Sequence, residues 1–345
     1  MVQDDLGELE RRAAENHAAS LTALGKLALV GRAGGRSVED GLRLLAAAAE
    51  AGDAEADAMI AVVIGIDAQS TSDWDRALEY LGRAAARGYP AARAQLALYC
   101  PDPELAAASK ALSPPAPIWR QLKEAIDIGT LLRVPPARIV RDSPYVAVFD
   151  GFATRLECEW MIGRANPHLK RAKIFDQQAR VLSDASSRTN SAMQFDILKA
   201  DFVLVALQAR IAAASGFAPR CLEETNVLHY AVGQEFVGHY DFFTPDKPEF
   251  QRELSERGQR AATLLIYLND EFEGGETAFE KLDWRYRGRP GDALLFGNVD
   301  PSGAPDLQTL HAGLPPVFGE KWLLSQWIRS HPPRRPDFPA PRASL

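Results

Sequence analysis

The rhythm of apolar and polar positions changes partway along this chain. Over the first hundred residues, small and apolar side chains recur at the three-to-four spacing of a buried helix face, and most of the small ones are Ala. The pattern repeats with a period of 36 residues, Ala48-Ala49-x-x-Gly52 returning as Ala84-Ala85-x-x-Gly88. Beyond each Gly, Ala56, Ala58 and Ala61 return as Ala92, Ala94 and Ala97. Ala at helical spacing lets two helices approach closely, and a Gly supplies the left-handed turn that ends one helix before the next. The prediction is a stack of helix hairpins over 1–100. Prolines then interrupt the chain from Pro101 to Pro136, around a short helical stretch near Trp119 to Ile128, and this is read as a linker. From about Ile139 the texture becomes short apolar runs: Tyr145 to Phe149, Leu264 to Leu268, Ala293 to Phe296 and Trp322 to Ile328. Separated by Gly, Asn and Asp, they predict strands, with helices near Leu156 to Ala165 and Phe202 to Ala214. Many short strands with two helices indicate an α+β chain: helical repeats, then a jelly-roll barrel over 137–331 supported by helices on one side. A proline-rich tail is expected over 332–345.

Composition removes several classes of function. With 345 residues, 46% of them hydrophobic, the chain can bury a core in each half. The net charge of −7 is spread along the sequence without a basic run, so a nucleic-acid partner is not expected. The acidic start lacks the basic and apolar segments of a signal peptide, and no apolar stretch approaches the ~18 residues that span a membrane. The expectation is a soluble cytoplasmic protein. Cys100, Cys158 and Cys221 are widely separated and odd in number, fitting packed thiols better than a disulfide framework.

The Ala-Ala-x-x-Gly element followed by an Ala-rich helix resembles Sel1-like repeats of the tetratricopeptide superfamily, across roughly residues 14–100. That resemblance implies a helical surface for recruiting a protein partner or for self-association.

Candidate chemistry lies in the second half. In a strand, the His239-x-Asp241 spacing puts both side chains on one face, where they can reach one metal. His311, just ahead of a Gly, offers a third ligand on a segment that a barrel can bring opposite. Two imidazoles and one carboxylate on one triangular face leave metal positions open, as iron(II) oxygenases require. Taken alone the tripeptide is also what a core or surface histidine would give. Ten residues after His311, Lys321 opens an apolar strand, sharing its face with Leu323, Ser325 and Trp327. A buried ammonium there needs an anion, and the distal carboxylate of 2-oxoglutarate is a natural one; an exposed lysine at a strand start is the alternative.

These segments occur in the order found in a known family. Phe149-Asp-Gly-Phe with Glu157-Cys158, Arg188-Thr189, Tyr230 through Phe243, Ala262 through Asn269, Phe272-x-Gly-Gly-Glu-Thr277, Gly291 through Phe296, and Leu310 through Arg329 together resemble the prolyl 4-hydroxylase family of 2-oxoglutarate- and iron(II)-dependent dioxygenases. The resemblance implies a double-stranded β-helix, with His239, Asp241 and His311 as iron ligands and Lys321 as partner of the co-substrate carboxylate. It implies hydroxyls on that carboxylate from Tyr230 and Thr277, and a cavity wall from Trp327. Iron(II), 2-oxoglutarate, dioxygen and ascorbate as reductant would be the cofactors, and C4 of prolyl residues in a peptide or protein the target. Hydroxylation of another residue or of a free amino acid stays open, as does an interaction or sensor protein with an oxygenase-like domain. Closure over the site is expected from Ala172 to Ser187 or from Thr244 to Gln259; the latter also reads as a solvated charged helix.

Overall fold

The protein was analysed as a computed structural model that describes residues 3–111, 115, 117–172, 174–176, 181–183 and 187–332. The chain divides into two compact units. The first takes the described residues up to Arg133 together with Ile197–Ala209; the second takes Val134–Asp196 and the described residues from Arg210 onward.

The first unit is helical: α1 (Gln3–Ala14), α2 (Ala18–Leu29), α3 (Val38–Glu50), α4 (Ala54–Asp67), α5 (Thr71–Ala86), α6 (Pro90–Tyr99), α7 (Pro103–Ala108), α8 (Ile118–Ala125) and α9 (Ile128–Leu131). Polar caps set the starts. The Ser37 and Ser70 hydroxyls accept from the backbone three residues on, and Asp40 and Asp73 return the bond. The repeated glycines end α3 and α5 as the 36-residue period requires, Gly52 at φ +93° and Gly88 at φ +100°. Ala48, Ala49, Ala56, Ala84, Ala85 and Ala92 lie in the buried core, where the lack of a bulky side chain lets neighbouring helices meet. The proline-interrupted segment departs from the linker expected of it. Ile118, Trp119, Leu122, Ile128 and Leu131 are buried in the same core, because amphipathic turns between the prolines are long enough to present an apolar face.

The second unit contains β1 (Arg138–Asp142), β2 (Tyr145–Phe149), α10 (Arg155–Ala165), β3 (Lys170–Arg171), β4 (Ile174–Asp176), β5 (Val181–Ser183) and β6 (Ser191–Phe195). Helix α11 (Phe202–Ser215) begins in the first unit and ends in the second. There follow β7 (Thr225–Tyr230), β8 (Phe236–His239), α12 (Gln251–Arg257), β9 (Arg260–Tyr267), β10 (Phe272–Gly274), β11 (Thr277–Phe279), β12 (Trp284–Tyr286), β13 (Ala293–Gly297), β14 (His311–Gly313), β15 (Pro316–Gly319) and β16 (Lys321–Arg329). An eight-stranded sheet runs β1-β2-β13-β9-β16-β7-β6-β3, and a four-stranded sheet runs β12-β11-β14-β8, all described pairings being antiparallel. Val148, Leu228, Leu265, Phe296 and Leu323 of the large sheet share one core with Phe279 of the small one, which makes this region a β-sandwich.

The central strands are apolar on both faces. Leu264, Ile266, Leu295 and Leu324, pointing away from that core, are also buried, which explains why these strands read as continuous apolar runs rather than an alternation. The Thr244 to Gln259 segment contains a short 3-10 turn and α12, tied down by Arg329 Nη2 donating to Glu253 O (2.7 Å) and Arg257 Nη2 to Leu222 O (3.2 Å). Much of the Ala172 to Ser187 segment, and the tail beyond Pro332, lie outside the described residues. All three cysteines are free, and Cys158 and Cys221 are buried. No helix among the described residues is long and apolar enough to cross a membrane.

Helix α10 is anchored by a buried ion pair, Arg210 to Glu157, whose side chains are 6% and 1% exposed; Arg210 Nη1 also donates to Phe152 O (3.1 Å). Substituting Arg210→Met removes the cation that balances a buried carboxylate, so unfolding stability should fall by about 3–5 kcal/mol. Urea denaturation measures this; a change under about 1 kcal/mol would mean that solvent reaches Glu157.

Candidate metal centre

The sheet register builds the site. Strand β14 pairs with β8 so that His311 lies directly opposite His239, and Asp241 follows two residues after His239. One ligand atom from each of the three residues lies within 4.8 Å of the others. The Asp241 carboxylate spans the pair, Oδ1 lying 3.6 Å from His239 Nε2 and Oδ2 3.6 Å from His311 Nε2. Each imidazole is oriented by its own strand. His239 Nδ1 sits 2.9 Å from Val237 O and His311 Nδ1 2.9 Å from Thr309 O. A carbonyl can only accept, so Nδ1 carries the proton and the Nε2 lone pairs converge on the space beside Asp241. Aromatic walls hold the rings: Phe236 stacks on His239 with centroids 3.5 Å apart, and Phe296 meets His311 edge-on at 4.7 Å.

Burial tunes the charges. It pushes His239 down to about 3, with the neighbouring His311 adding to the effect, so the ring is a neutral ligand at ordinary pH. For Asp241 burial works the other way, and the two imidazoles with the Thr263 hydroxyl outweigh it, leaving the carboxyl below its usual value and ionised. Two imidazole nitrogens and one carboxylate oxygen form a donor set suited to a divalent first-row metal.

Lys321 enters the same cavity from β16. It is fully buried, pairs in register with Tyr230, and its Nζ has no hydrogen-bond partner among the described residues. Its Nζ lies 5.0 Å from the Tyr230 ring and 5.7 Å from the Tyr267 ring. Desolvation pushes the ammonium down from 10.5 to about 7, opposed by the charge of Glu276. An unpaired buried cation is costly, and this one faces space that an anion can fill. Tyr230, Thr277 and Trp327 line that cavity with Lys321 and the three candidate ligands. Burial raises the Tyr230 phenol to about 12, so it remains a donor. The Thr277 hydroxyl sits 2.8 Å from the Tyr267 hydroxyl, which donates to Tyr286 O (2.8 Å). Trp327 is half-buried beneath the Arg260 guanidinium, 3.6 Å from its ring centroid. His229, on the opposite face of β7, instead meets Glu320 (3.0 Å).

Several residues here carry no signal in a one-dimensional reading. Arg188 is buried, lines the cavity and lies over the Phe236 ring at 4.5 Å, yet in sequence it is only half of an Arg-Thr element. Thr263 reaches Asp241 by a hydrogen bond, and Asn298 reaches it only through Thr263. The sole hint of Thr263 is a polar residue within the apolar run Ala261 to Tyr267.

Comparison with known proteins adds the following. A model of the 2OG-Fe(II) oxygenase superfamily matches residues 225–329. The chain is 31% identical over 212 residues to probable prolyl 4-hydroxylase 10 of Arabidopsis thaliana, covering 56% of this chain and 71% of that protein. It is 32% identical over 212 residues to prolyl 4-hydroxylase 5 of the same organism, with the same coverage. Among solved structures, the viral collagen prolyl hydroxylase of Paramecium Bursaria Chlorella virus-1, in complex with 2OG, aligns at 28% identity and a TM-score of 0.43, over 55% of this chain and 98% of its own.

The donor geometry makes a direct prediction. Substituting His239, Asp241 or His311 by Ala should weaken Co(II) or Fe(II) binding at least about 100-fold. Anaerobic metal titration measures it, and three variants that bind like the parent would place the metal elsewhere.

Proposed function

The chain belongs to the prolyl 4-hydroxylase family of 2-oxoglutarate- and iron(II)-dependent oxygenases, and from that premise we propose how its own residues carry the reaction. It is a dioxygenase that hydroxylates prolyl residues of a peptide or protein, at C4, with release of succinate and carbon dioxide. One observation carries the assignment of residues: a fully buried, unpartnered Lys321 ammonium opens onto the same cavity as a His-Asp-His cluster.

His239 and His311 through Nε2, and Asp241 through a carboxylate oxygen, would hold iron(II). Iron(II), when bound, couples the oxidative decarboxylation of 2-oxoglutarate by dioxygen to insertion of one oxygen atom into a C–H bond. The remaining work falls to the protein. Lys321 Nζ pairs with the distal carboxylate of 2-oxoglutarate, with the Tyr230 hydroxyl donating beside it and Thr277 lining the same space, which fixes the orientation of the keto acid. Phe236, Leu228, Leu323 and Trp327 wall the cavity and keep out water that would waste the oxidant. Ascorbate serves as the reductant that keeps iron in the divalent state.

We assign residues 137–331 as the oxygenase domain, a double-stranded β-helix. We assign 1–100 as Sel1-like repeats that recruit the protein substrate in the cytoplasm. The repeated Ala and Gly positions and the helical first unit support this reading.

With iron(II), ascorbate and 2-oxoglutarate, the purified protein should make succinate at a slow uncoupled rate that His239→Ala abolishes. Succinate that survives the substitution would sink the metal assignment. Lys321→Ala should raise the half-saturating 2-oxoglutarate concentration at least about tenfold while metal affinity holds.

Lys321 also sets a pH dependence. Because the free ammonium titrates near 7, binding a carboxylate above that pH must take up a proton. Affinity for 2-oxoglutarate should therefore weaken as pH rises from 7 to 9, by up to about tenfold per unit. Calorimetry in buffers of different ionisation enthalpy detects the proton; pH-independent binding without uptake would mean that Lys321 stays charged in the free protein.

A further inference from the structure

We propose that Thr263, oriented by Asn298, holds Asp241 as a one-oxygen metal ligand and so keeps a coordination position free for the co-substrate. The proposal rests on the iron(II) and 2-oxoglutarate reading above and adds to it two residues that touch neither metal nor substrate.

Thr263 Oγ1 donates to Asp241 Oδ2 at 2.6 Å, the short length of a hydroxyl bonded to a charged oxygen. Asn298 Nδ2 donates in turn to Thr263 Oγ1 at 2.9 Å. A hydroxyl has one hydrogen, so with Asn298 donating into the oxygen, that hydrogen is left for Asp241. Water cannot compete, since Thr263 is 1%, Asn298 0% and Asp241 5% exposed. Asn298 is itself fixed by the main chain, its N–H donating to Ala261 O (2.8 Å) and its carbonyl accepting from Asp306 N (3.0 Å). Both residues sit on rigid supports: Thr263 lies within β9, and Asn298 directly follows β13.

The consequence follows from counting positions. The Asp241 carboxylate lies midway between the two imidazoles, each oxygen 3.6 Å from one Nε2, so distance alone does not choose between one-oxygen and two-oxygen binding. A carboxylate that used both oxygens would, with two imidazoles, fill four positions of a six-coordinate metal. A keto acid needs two more and dioxygen one, which is one too many. The Thr263 bond draws Oδ2 away from the metal and leaves Oδ1 as the ligand, restoring the third open position.

The test compares full-length parent, Thr263→Val, Thr263→Ser and Asn298→Ala, each checked by thermal unfolding. Anaerobic titration gives Fe(II) affinity. A second titration, with 2-oxoglutarate, follows the visible absorption that appears only with metal and keto acid together. Thr263→Val should keep metal affinity within about threefold yet weaken 2-oxoglutarate at least about tenfold and shift the band. Thr263→Ser, which keeps the hydroxyl, should match the parent, and Asn298→Ala should shift in the same direction by less. If Thr263→Val does not fold, Asn298→Ala, which retains the Thr263 hydroxyl, carries the comparison alone. Unchanged affinity and spectrum overturn the proposal. So does loss of metal as complete as in Asp241→Ala, because Thr263 would then be holding the carboxylate in place rather than setting how many oxygens bind. A parent protein that binds metal but never develops the band takes down the co-substrate reading, and the proposal with it.

Discussion

The cross-strand pairing of His311 with His239 is the contact on which the site depends. Antiparallel register places two residues from distant parts of the sequence side by side, and Asp241, in the bend just after β8, lies close to both. A slip of one residue in β14 would turn His311 out of the cavity and bring Ala312 in. The same logic delivers Lys321, which meets Tyr230 across β16 and β7. Neither pairing is held by the site residues themselves. The Lys321–Tyr230 pairing is held by the eight-stranded sheet, buried on both faces, where Leu228, Leu265 and Leu323 pack toward the site and Leu264, Ile266 and Leu324 away from it. The His311–His239 pairing lies in the four-stranded sheet, whose Phe279 packs into the core shared between the two sheets.

That division of labour lets the cavity carry groups that cost stability. Lys321 is buried without a hydrogen-bond partner among the described residues, and His239 is held far below its ordinary protonation range. Each is an unfavourable placement for the empty protein and a favourable one once a metal and an anion arrive, so binding recovers what folding gave up. Asp241 is the point of contact between the two regimes. It balances two imidazoles on one side and a hydrogen-bonded chain through Thr263 to Asn298 on the other.

Much of this could be read along the chain, and the reasons for the exceptions are physical. Strands buried on both faces show up as apolar runs, and helices that bury Ala show up as small residues at helical spacing, because both patterns are local. His239-x-Asp241 was legible through its spacing, although Asp241 lies in the bend just past β8 rather than on the strand expected of it, and Lys321 was legible as the start of an apolar strand. Thr263, Asn298 and Arg188 were not, since their relation to the site exists only across strands. The segment between Pro101 and Pro136 misled for a different reason: prolines break helices but do not prevent short amphipathic turns between them, and Trp119 and Leu122 are buried in the first unit's core. The stretch Phe202 to Ala214 read as one helix, yet the residues of the observed helix, Phe202–Ser215, divide between two compact units, which no local pattern marks.

The most direct measurement of the central claim is mass spectrometry of proline-containing peptides from a host lysate, incubated with the protein, iron(II) and 2-oxoglutarate. The account predicts single oxygen additions that fragmentation places on proline, formed in equal number with the succinate released above the uncoupled rate. Oxygen placed on another residue type, or succinate without any modified peptide, would contradict it.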